Sequence, residues 1–279
     1  MMTDHQHDTI LHLQNAFNAV HTARAASRLV DSLYAQAMGD AYPVEVAPTS
    51  SCDWPLLGAL TAHLRLGPGE VLADVGCGTG GVGLWLARAL AVRLIGVDIS
   101  PVAVRLAATR AAAFVPQGQV VFRTGTLTAT GLPDRHVNAV ICVDALSCAD
   151  DRQAALRELH RILRPGGRAV ITRATRRGAR GLLTVHEEAA GFAVERVDVR
   201  AAEPHMWGRL YGLWLSRESE LRRELGDREA ERMLAEARRQ LPRLPDRSAL
   251  VITLQRQADG QPTLAGTLPE TSVHREESE

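Results

Sequence analysis

The chain has few aromatic residues and no excess of either charge. Phe, Trp and Tyr together make up 4% of its 279 residues. Its 32 basic residues are balanced by 32 acidic ones, so the formal net charge at pH 7 is zero. Proteins that act on nucleic acid usually present a basic face to the phosphates. The charge balance therefore disfavours nucleic acid as a partner.

Cysteine is also scarce. The four cysteines are Cys52, Cys77, Cys142 and Cys148, and no two of them form a C-x-x-C pair. This spacing supports neither a zinc site nor a disulfide framework. The ten histidines show no metal-ligand spacing on a predicted helix. We therefore expect no bound metal.

The sequence lacks any apolar run that approaches the roughly 20 residues needed to cross a bilayer. Its first residues are polar and include His5 and His7, unlike the apolar core of a signal peptide. We therefore expect a cytoplasmic protein without a membrane partner.

The most informative segment is 71–100, which reads as a hydrophobic strand, a glycine-rich turn, an amphipathic helix and a second strand that ends at Asp98. Because Gly76, Gly78 and Gly80 have no Cβ atoms, the backbone can bend sharply there and approach a ligand closely. An acid at the end of the second strand can accept hydrogen bonds from the hydroxyls of a ribose. The segment therefore predicts a ligand that contains a nucleoside.

Three details argue against a dinucleotide, although 78–83 also satisfies the weak pattern G-x-G-x-x-G. Asp74 ends the first strand, where a pyrophosphate binder would gain from a basic residue or an exposed helix N-terminus. The glycines alternate from the strand end, and an apolar segment at 138–146 occupies the fourth-strand position. An acid at position 74 is better suited to bind an ammonium group or to orient the turn.

On these residues the chain resembles the class I S-adenosylmethionine-dependent methyltransferases, whose first motif reads like Asp74-Val75-Gly76-Cys77-Gly78-Thr79-Gly80. The resemblance runs from about residue 54 to residue 255, and it implies S-adenosyl-L-methionine as the cofactor. Many relatives carry an acid where Thr126 stands, and a hydroxyl there would bind the adenine amino group more weakly. The resemblance implies the following cofactor-binding residues: Asp74, Gly76, Cys77, Gly78, Gly80, Asp98, Ile99, Ser100, Thr126, Leu127 and Asp144. Asp144 can equally be a structural contact to the turn.

The resemblance also implies the fold, a Rossmann-like, doubly wound α/β sheet of seven strands, mostly parallel with one antiparallel edge strand, plus helical lid additions. Periodicity predicts helices at 154–163 and 182–190 and strands at 169–172, 192–199 and 249–254. We expect an N-terminal helical lid over 1–55, a cofactor-binding domain over 56–256 with a helical insertion at about 202–246, and a loosely ordered tail over 257–279.

Most of the aromatic side chains fall in the two additions, 10–55 and 202–246. An apolar pocket that excludes water suits methyl transfer, since water would solvate the nucleophile. We therefore predict that the acceptor is bound by Tyr34, Tyr42, Trp54, His205, Trp207, Tyr211 and Trp214. The alternative is that these rings pack the lid onto the rest of the protein.

Methyl transfer needs a base only if the acceptor must lose a proton. Several relatives that methylate hydroxyls have a histidine soon after the fourth strand, but 144–151 contains none. The remaining candidates for a catalytic base are His205, His21 and Glu45. For each of them the alternative is a surface or packing role. Asp150 and Asp151 are interpreted as caps for the next helix.

These observations predict methyl transfer from S-adenosyl-L-methionine to carbon, oxygen or nitrogen of a small aromatic, terpenoid or glycosylated natural product. Two alternatives stay open at this point: a protein or nucleic-acid methyltransferase, and a cofactor-binding protein or non-methylating enzyme on the same fold. We expect a small-molecule substrate as the partner. The lid helices also offer a surface through which a homodimer could form.

Overall fold

The computed structural model of the protein describes residues 4–178 and 185–257, and its centre is a sheet of seven strands. The strands are β1 (Val71–Val75), β2 (Arg93–Asp98), β3 (Val120–Thr124), β4 (Val137–Cys142), β5 (Leu163–Arg176), β6 (Phe192–Val199) and β7 (Arg247–Arg256). Their order across the sheet is β3-β2-β1-β4-β5-β7-β6.

The sheet is parallel except for β7, which runs antiparallel to both β5 and β6. The predicted seven-stranded, mostly parallel sheet with antiparallel pairing at one edge is thus confirmed, with β7 lying just inside the outermost strand, β6. All five residues of β1 are buried. β1 pairs with β2 on one side and β4 on the other, so strands are added to one side of β1 up to β3 and to its other side from β4 onwards. A crevice opens at the carboxyl ends of the strands at such a switch point.

The described helices are α1 (Asp4–Ala25), α2 (Leu29–Met38), α3 (Trp54–Leu64), α4 (Gly81–Leu90), α5 (Pro101–Arg110), α6 (Arg152–Ile162), α7 (Val185–Ala189), α8 (Glu203–Ser216), α9 (Glu218–Leu225) and α10 (Asp227–Gln240). Side-chain caps fix where several of them begin. Asp53 accepts from Leu56 N at 2.8 Å at the start of α3, and Asp151 accepts from Ala154 N at 2.8 Å at the start of α6. These caps supply acceptors for N–H groups that the helix itself leaves unpaired. The capping role predicted for Asp151 is confirmed.

Two of the buried clusters lie at the sheet, and a third holds the additions together. This third cluster, here called the lid core, joins α2 to α8, α9 and α10 through side chains such as Leu33, Leu210, Trp214 and Leu234, all almost fully buried. Each large apolar side chain buried in this way contributes about 1.5–3 kcal/mol. The two additions, far apart in sequence, therefore fold against each other as one layer.

The start of the helix predicted at 182–190 and nearly all of the tail predicted at 257–279 lie outside the described residues. Within the described ranges, no helix has both the length and the apolar character to cross a membrane. The division of the chain into lid, cofactor-binding domain and tail stays a prediction.

Candidate functional site

A cavity of about 770 Å³ lies at the carboxyl ends of β1, β2 and β4, at the switch point of the sheet. Its floor is the glycine turn after β1, and α1 forms one wall. The segment 46–50 closes another side, and Arg110 holds this segment in place. The guanidinium of Arg110 donates to Val46 O at 2.8 Å and to Thr79 O at 3.2 Å, so it joins the segment to the turn.

The glycine turn needs its glycines for folding as well as for ligand access. Gly76 has φ +81°, and a Cβ atom there would lie 2.3 Å from the Cβ of Ala145. Gly80 has φ +77°, and a Cβ atom there would lie 2.9 Å from both Ala107 and Phe122. Gly76 lines the cavity, but Gly80 does not. The cofactor contact predicted for Gly80 is therefore corrected to a packing role against α5 and β3.

Asp98 ties this turn to β2. Its Oδ2 accepts from Gly78 N at 2.8 Å, and its Oδ1 accepts from Ser100 N at 2.9 Å. Asp98 also lines the cavity. Because a carboxylate has about four lone-pair sites, each oxygen can accept one more hydrogen bond from a ligand.

Asp74 is buried beneath the turn, with 3% of its surface exposed. Burial, reinforced by the neighbouring negative charge of Asp98, raises the pKa of Asp74 to about 7. Its Oδ2 has no hydrogen-bond partner among the described residues, and it lies 2.7 Å from where a Cβ of Gly83 would be. The carboxyl group therefore packs with its Oδ2 against the start of α4, while the residue also lines the cavity.

The far end of the cavity is bordered by Ile99, Thr126 and Leu127. Gln14 of α1 donates to Ile99 O at 3.0 Å and so holds the helix against this end. Ser100, predicted to contact the cofactor, is fully buried and does not line the cavity. Its hydroxyl caps α5 and donates to Asn18 Oδ1 at 2.7 Å. The prediction for Ser100 is therefore corrected to a structural role.

Asp144 joins three distant parts of the chain beside the turn. Its backbone has φ +54°, an uncommon value for a residue with a side chain. Its Oδ2 accepts from Ser51 N at 2.6 Å, and its Oδ1 accepts from the Thr172 hydroxyl at 2.8 Å. Arg200 in turn donates to Ser51 Oγ at 2.7 Å. Of the two roles open for Asp144, these contacts favour the structural one, although the residue does line the cavity.

The residues that form the floor of the cavity match a family of known proteins. Residues 72–167 match the model of a family described as a methyltransferase domain. These residues form a methyltransferase domain. The matched residues run from β1, through the glycine turn, Asp98 and Asp144, to the first part of β5. The methyltransferase domain therefore contains the floor of the cavity, whereas α1 and the lid core lie outside the match.

One relative is a 27-O-demethylrifamycin SV methyltransferase of Amycolatopsis mediterranei, 30% identical over 148 residues. That alignment covers 53% of this chain and 54% of the relative. The chain spans about half or less of the length of the curated relatives that it matches. The sequence similarity between this chain and each relative is thus confined to part of both proteins.

Two solved structures share the fold. The cyclase SpnF matches with a TM-score of 0.67 and 22% identity, over 73% of this chain and 80% of that chain. A methyltransferase of Geobacter sulfurreducens in complex with S-adenosyl-L-homocysteine matches with a TM-score of 0.57 and 22% identity, over 81% of this chain and 98% of that chain. Both likenesses concern the fold.

The aromatic residues predicted to bind the acceptor do not line the cavity of the methyltransferase domain. Tyr34, Tyr42, Tyr211 and Trp214 are buried in the lid core, and Trp207 packs against it. Trp54 is 39% exposed and packs on Trp85 at 5.8 Å between ring centroids. Apart from Trp54, the rings therefore hold the lid together, as in the alternative considered from the sequence. For Tyr34, Tyr211 and Trp214 the reason is that helical spacing places them on the faces by which α2 and α8 meet.

Two of the three candidate bases are also away from the cavity. Glu45 accepts from Trp85 Nε1 at 2.8 Å and from Arg88 at 2.6 Å on the surface. His205 is exposed in the first turn of α8 and does not line the cavity. The predictions of Glu45 and His205 as bases are therefore wrong in position.

His21 is the candidate base that the structure places in the cavity. Its ring packs on Phe17, and its Cε1 lies 3.8 Å from where a Cβ of Gly78 would be. Burial lowers the pKa of His21, the negative charge of Asp98 raises it, and the net effect is a lowered value. The imidazole is therefore neutral at pH 7 and can accept a proton.

The largest omission of the sequence-based prediction was the role of α1. This helix carries an apolar stripe at helical spacing, and all four of its residues line the cavity: Ile10, Leu13, Phe17 and Val20. Arg24 of the same helix and Arg232 of α10 also line it but were not singled out. The 3.6-residue period extended one more turn reaches Arg24, which is the signal that could have identified it.

Proposed function

We propose that the whole chain transfers a methyl group from S-adenosyl-L-methionine to a small-molecule acceptor. One observation carries this proposal: a single covered cavity joins the glycine turn and Asp98 to the apolar stripe of α1. The match of residues 72–167 to a methyltransferase domain supports it. The volume of the cavity, about 770 Å³, and its apolar wall on α1 favour a small acceptor over a protein or nucleic-acid chain.

The cavity fits the cofactor. When bound, S-adenosyl-L-methionine supplies an electrophilic methyl group on a positively charged sulfur. Asp98 has lone pairs left for the ribose hydroxyls, and the bare backbone at Gly76 and Gly78 allows close approach. Asp74 also lines the cavity, and its carboxyl group suits a donor such as an ammonium group. Ile99, Thr126 and Leu127 remain for the adenine.

The acceptor side is formed by the apolar face of α1. Ile10, Leu13 and Phe17 line the cavity there and limit the access of water to a bound nucleophile. Positioning of two reactants in such an enclosure can supply much of the rate enhancement. We propose an aromatic, terpenoid or glycosylated natural product as the acceptor class. The relative named a 27-O-demethylrifamycin SV methyltransferase supports a hydroxyl on such a molecule.

We expect purified protein to bind S-adenosylhomocysteine in calorimetry and to transfer labelled methyl groups to members of a panel of small hydroxylated aromatic and terpenoid compounds. Oligonucleotides and an unrelated protein serve as comparison acceptors in the same assay. Tight cofactor binding without product across the whole panel would favour a non-methylating enzyme on this fold. Product from the oligonucleotides would contradict the small-molecule proposal.

For a hydroxyl acceptor, His21→Gln is expected to lower kcat by about 100-fold or more, because a positioned base contributes this much to proton transfer. Since its lowered pKa keeps His21 neutral at and above pH 7, the wild-type kcat should fall only as the solution becomes acidic. Rate profiles from about pH 5 to 9 at saturating cofactor for both proteins check this, because the acidic fall in kcat should disappear in the variant. Saturation removes the effect on cofactor binding of Asp74, whose pKa of about 7 lies in the same range.

His205→Gln is the matched control, since His205 is exposed and outside the cavity. It should keep both the rate and the profile of the wild type. If His21→Gln kept them as well, His21 would not be the base.

The predicted cytoplasmic location, the absence of nucleic-acid and membrane partners, and a homodimer through the lid helices remain proposals. Size-exclusion chromatography with light scattering would measure the oligomeric state directly.

A further inference from the structure

The charged side chains that line the cavity are mostly acidic. Among the described lining residues the carboxylates are Asp74, Asp98, Asp144, Asp150 and Asp151, and the guanidinium groups are Arg24 and Arg232. A ligand with a carboxylate of its own would be repelled over most of this surface. It would be attracted only at the arginines.

The two arginines differ in how their donors are used. Arg232 donates from Nε and Nη2 to the two oxygens of Glu229 at 2.8 and 2.7 Å, so it is held as a bidentate pair. Arg24 Nε lies 3.6 Å from Glu229 Oε1, beyond hydrogen-bond distance. That nitrogen is buried and has no hydrogen-bond acceptor among the described residues, and the side chain is only 16% exposed. The guanidinium of Arg24 is thus incompletely hydrogen-bonded, and because the residue lines the cavity it can donate to a carboxylate on a ligand.

The course of α1 shows which end of the cavity Arg24 faces. Gln14 contacts Ile99 O, Asn18 contacts Ser100, and His21 lies over Gly78. The helix thus runs from the proposed adenine end, past Asp98, to the glycine turn. Arg24 follows on the same face, about 15 Å along the axis from Gln14 at 1.5 Å per residue. It therefore stands at the end of the cavity opposite the adenine.

We propose that Arg24 binds the carboxylate at the amino acid end of S-adenosyl-L-methionine. This inference rests on the proposed function, because it takes the nucleoside to lie at Asp98. Glu229 attracts Arg24 and keeps its guanidinium at the cavity wall, although its hydrogen bonds are made with Arg232. Since Arg24 lies beyond hydrogen-bond distance of Glu229, its guanidinium can donate to the ligand, whose charge it neutralises among the surrounding acids.

Calorimetry with two ligands tests this assignment. S-Adenosylhomocysteine carries the amino acid end, whereas 5′-methylthioadenosine shares the nucleoside but lacks the carboxylate. Arg24→Gln should weaken S-adenosylhomocysteine binding about 10- to 100-fold, as expected for loss of a charge-assisted hydrogen bond. Binding of 5′-methylthioadenosine should stay within about twofold of the wild type, which also shows that the variant folds. Arg24→Lys should fall between, because lysine keeps the charge but lacks the planar fork.

Arg28→Gln is the matched control, since Arg28 is exposed one turn further along the chain and does not line the cavity. It should bind both ligands as the wild type does. Unchanged binding of S-adenosylhomocysteine by Arg24→Gln would overturn the assignment. An equal loss of both ligands would also overturn it, since that indicates a structural role. If the wild type bound neither ligand, the proposed function itself would fail, and this inference with it.

Discussion

Asp98→Ala is expected to reduce the affinity for S-adenosylhomocysteine by about 100-fold or more. Hydrogen bonds to a charged group contribute about 1.5–3 kcal/mol each, and the proposed ribose contact makes two of them. The substitution also removes the acceptors of Gly78 N and Ser100 N, which hold the turn in shape. Calorimetric titration of the purified variant measures the effect.

Asp98→Asn removes the negative charge of the side chain while nearly keeping its shape. One carboxylate oxygen becomes an NH₂ group, which then faces a backbone N–H of Gly78 or Ser100 instead of accepting from it. We expect this isosteric change to weaken binding nearly as much as alanine does. Asp40→Ala, at an exposed acid away from the cavity, is the control for a general effect of lost negative charge. Wild-type affinity in both Asp98 variants would rule out the ribose contact.

Gly76→Ala is expected to destabilise the protein by about 2–6 kcal/mol and to eliminate cofactor binding. The strained φ of +81° and the overlap with a neighbouring side chain each cost roughly 1–3 kcal/mol. The added Cβ would lie 2.3 Å from the Cβ of Ala145, so the turn or the loop after β4 must shift. Urea unfolding with and without S-adenosylhomocysteine measures both consequences.

Gly58→Ala offers a matched comparison within the same chain. Gly58 lies inside α3, its φ is not positive, and a Cβ there meets nothing within 4 Å. Because alanine favours a helix over glycine by about 0.8–1 kcal/mol, this variant should be as stable as the wild type or more so. Equal stability of Gly76→Ala and the wild type would show that the turn tolerates a side chain.

The sequence predicted the sheet well because its signals are local. Buried parallel strands are short apolar runs, and those ending at Val75 and Asp98 stand out on either side of the glycine turn. The alternating glycines identify the turn because few other residues tolerate its positive φ values. The predicted positions of Asp74 and Asp98 beside the turn followed directly, since carboxyl ends of adjacent parallel strands lie together.

The acceptor side was predicted less well, and the aromatic residues show why. Trp214 and Tyr211 are of the residue type expected in a binding pocket, yet they are buried in the lid core against α2. Helical periodicity shows which residues share a face but not what that face meets. Whether a ring lines a cavity or fills a core depends on the packing of segments more than 150 residues apart, as between Tyr34 and Trp214, whose ring centroids are 6.3 Å apart.

For single polar residues, too, the sequence does not show which distant parts of the chain they meet. His21, His205 and Glu45 were equal candidates by residue type, and only the path of α1 over the turn distinguished His21. Ser100 follows the strand as a cofactor contact would, but it is used as a helix cap and as a donor to Asn18. Such roles depend on partners that no short motif encodes.

The glycine turn, the two acids beside it and the sheet that carries them were determined by the sequence itself, because backbone conformation and strand burial depend on neighbouring residues. The tertiary structure alone decided which side chains cover the cavity. It brought His21 and Arg24 of α1 over the turn and moved the aromatic rings into the lid core. The physical reason is that both outcomes depend on contacts far apart in sequence. Gln14 and Asn18 hold α1 against Ile99 and Ser100, and the lid's apolar faces are buried against each other by a non-directional effect.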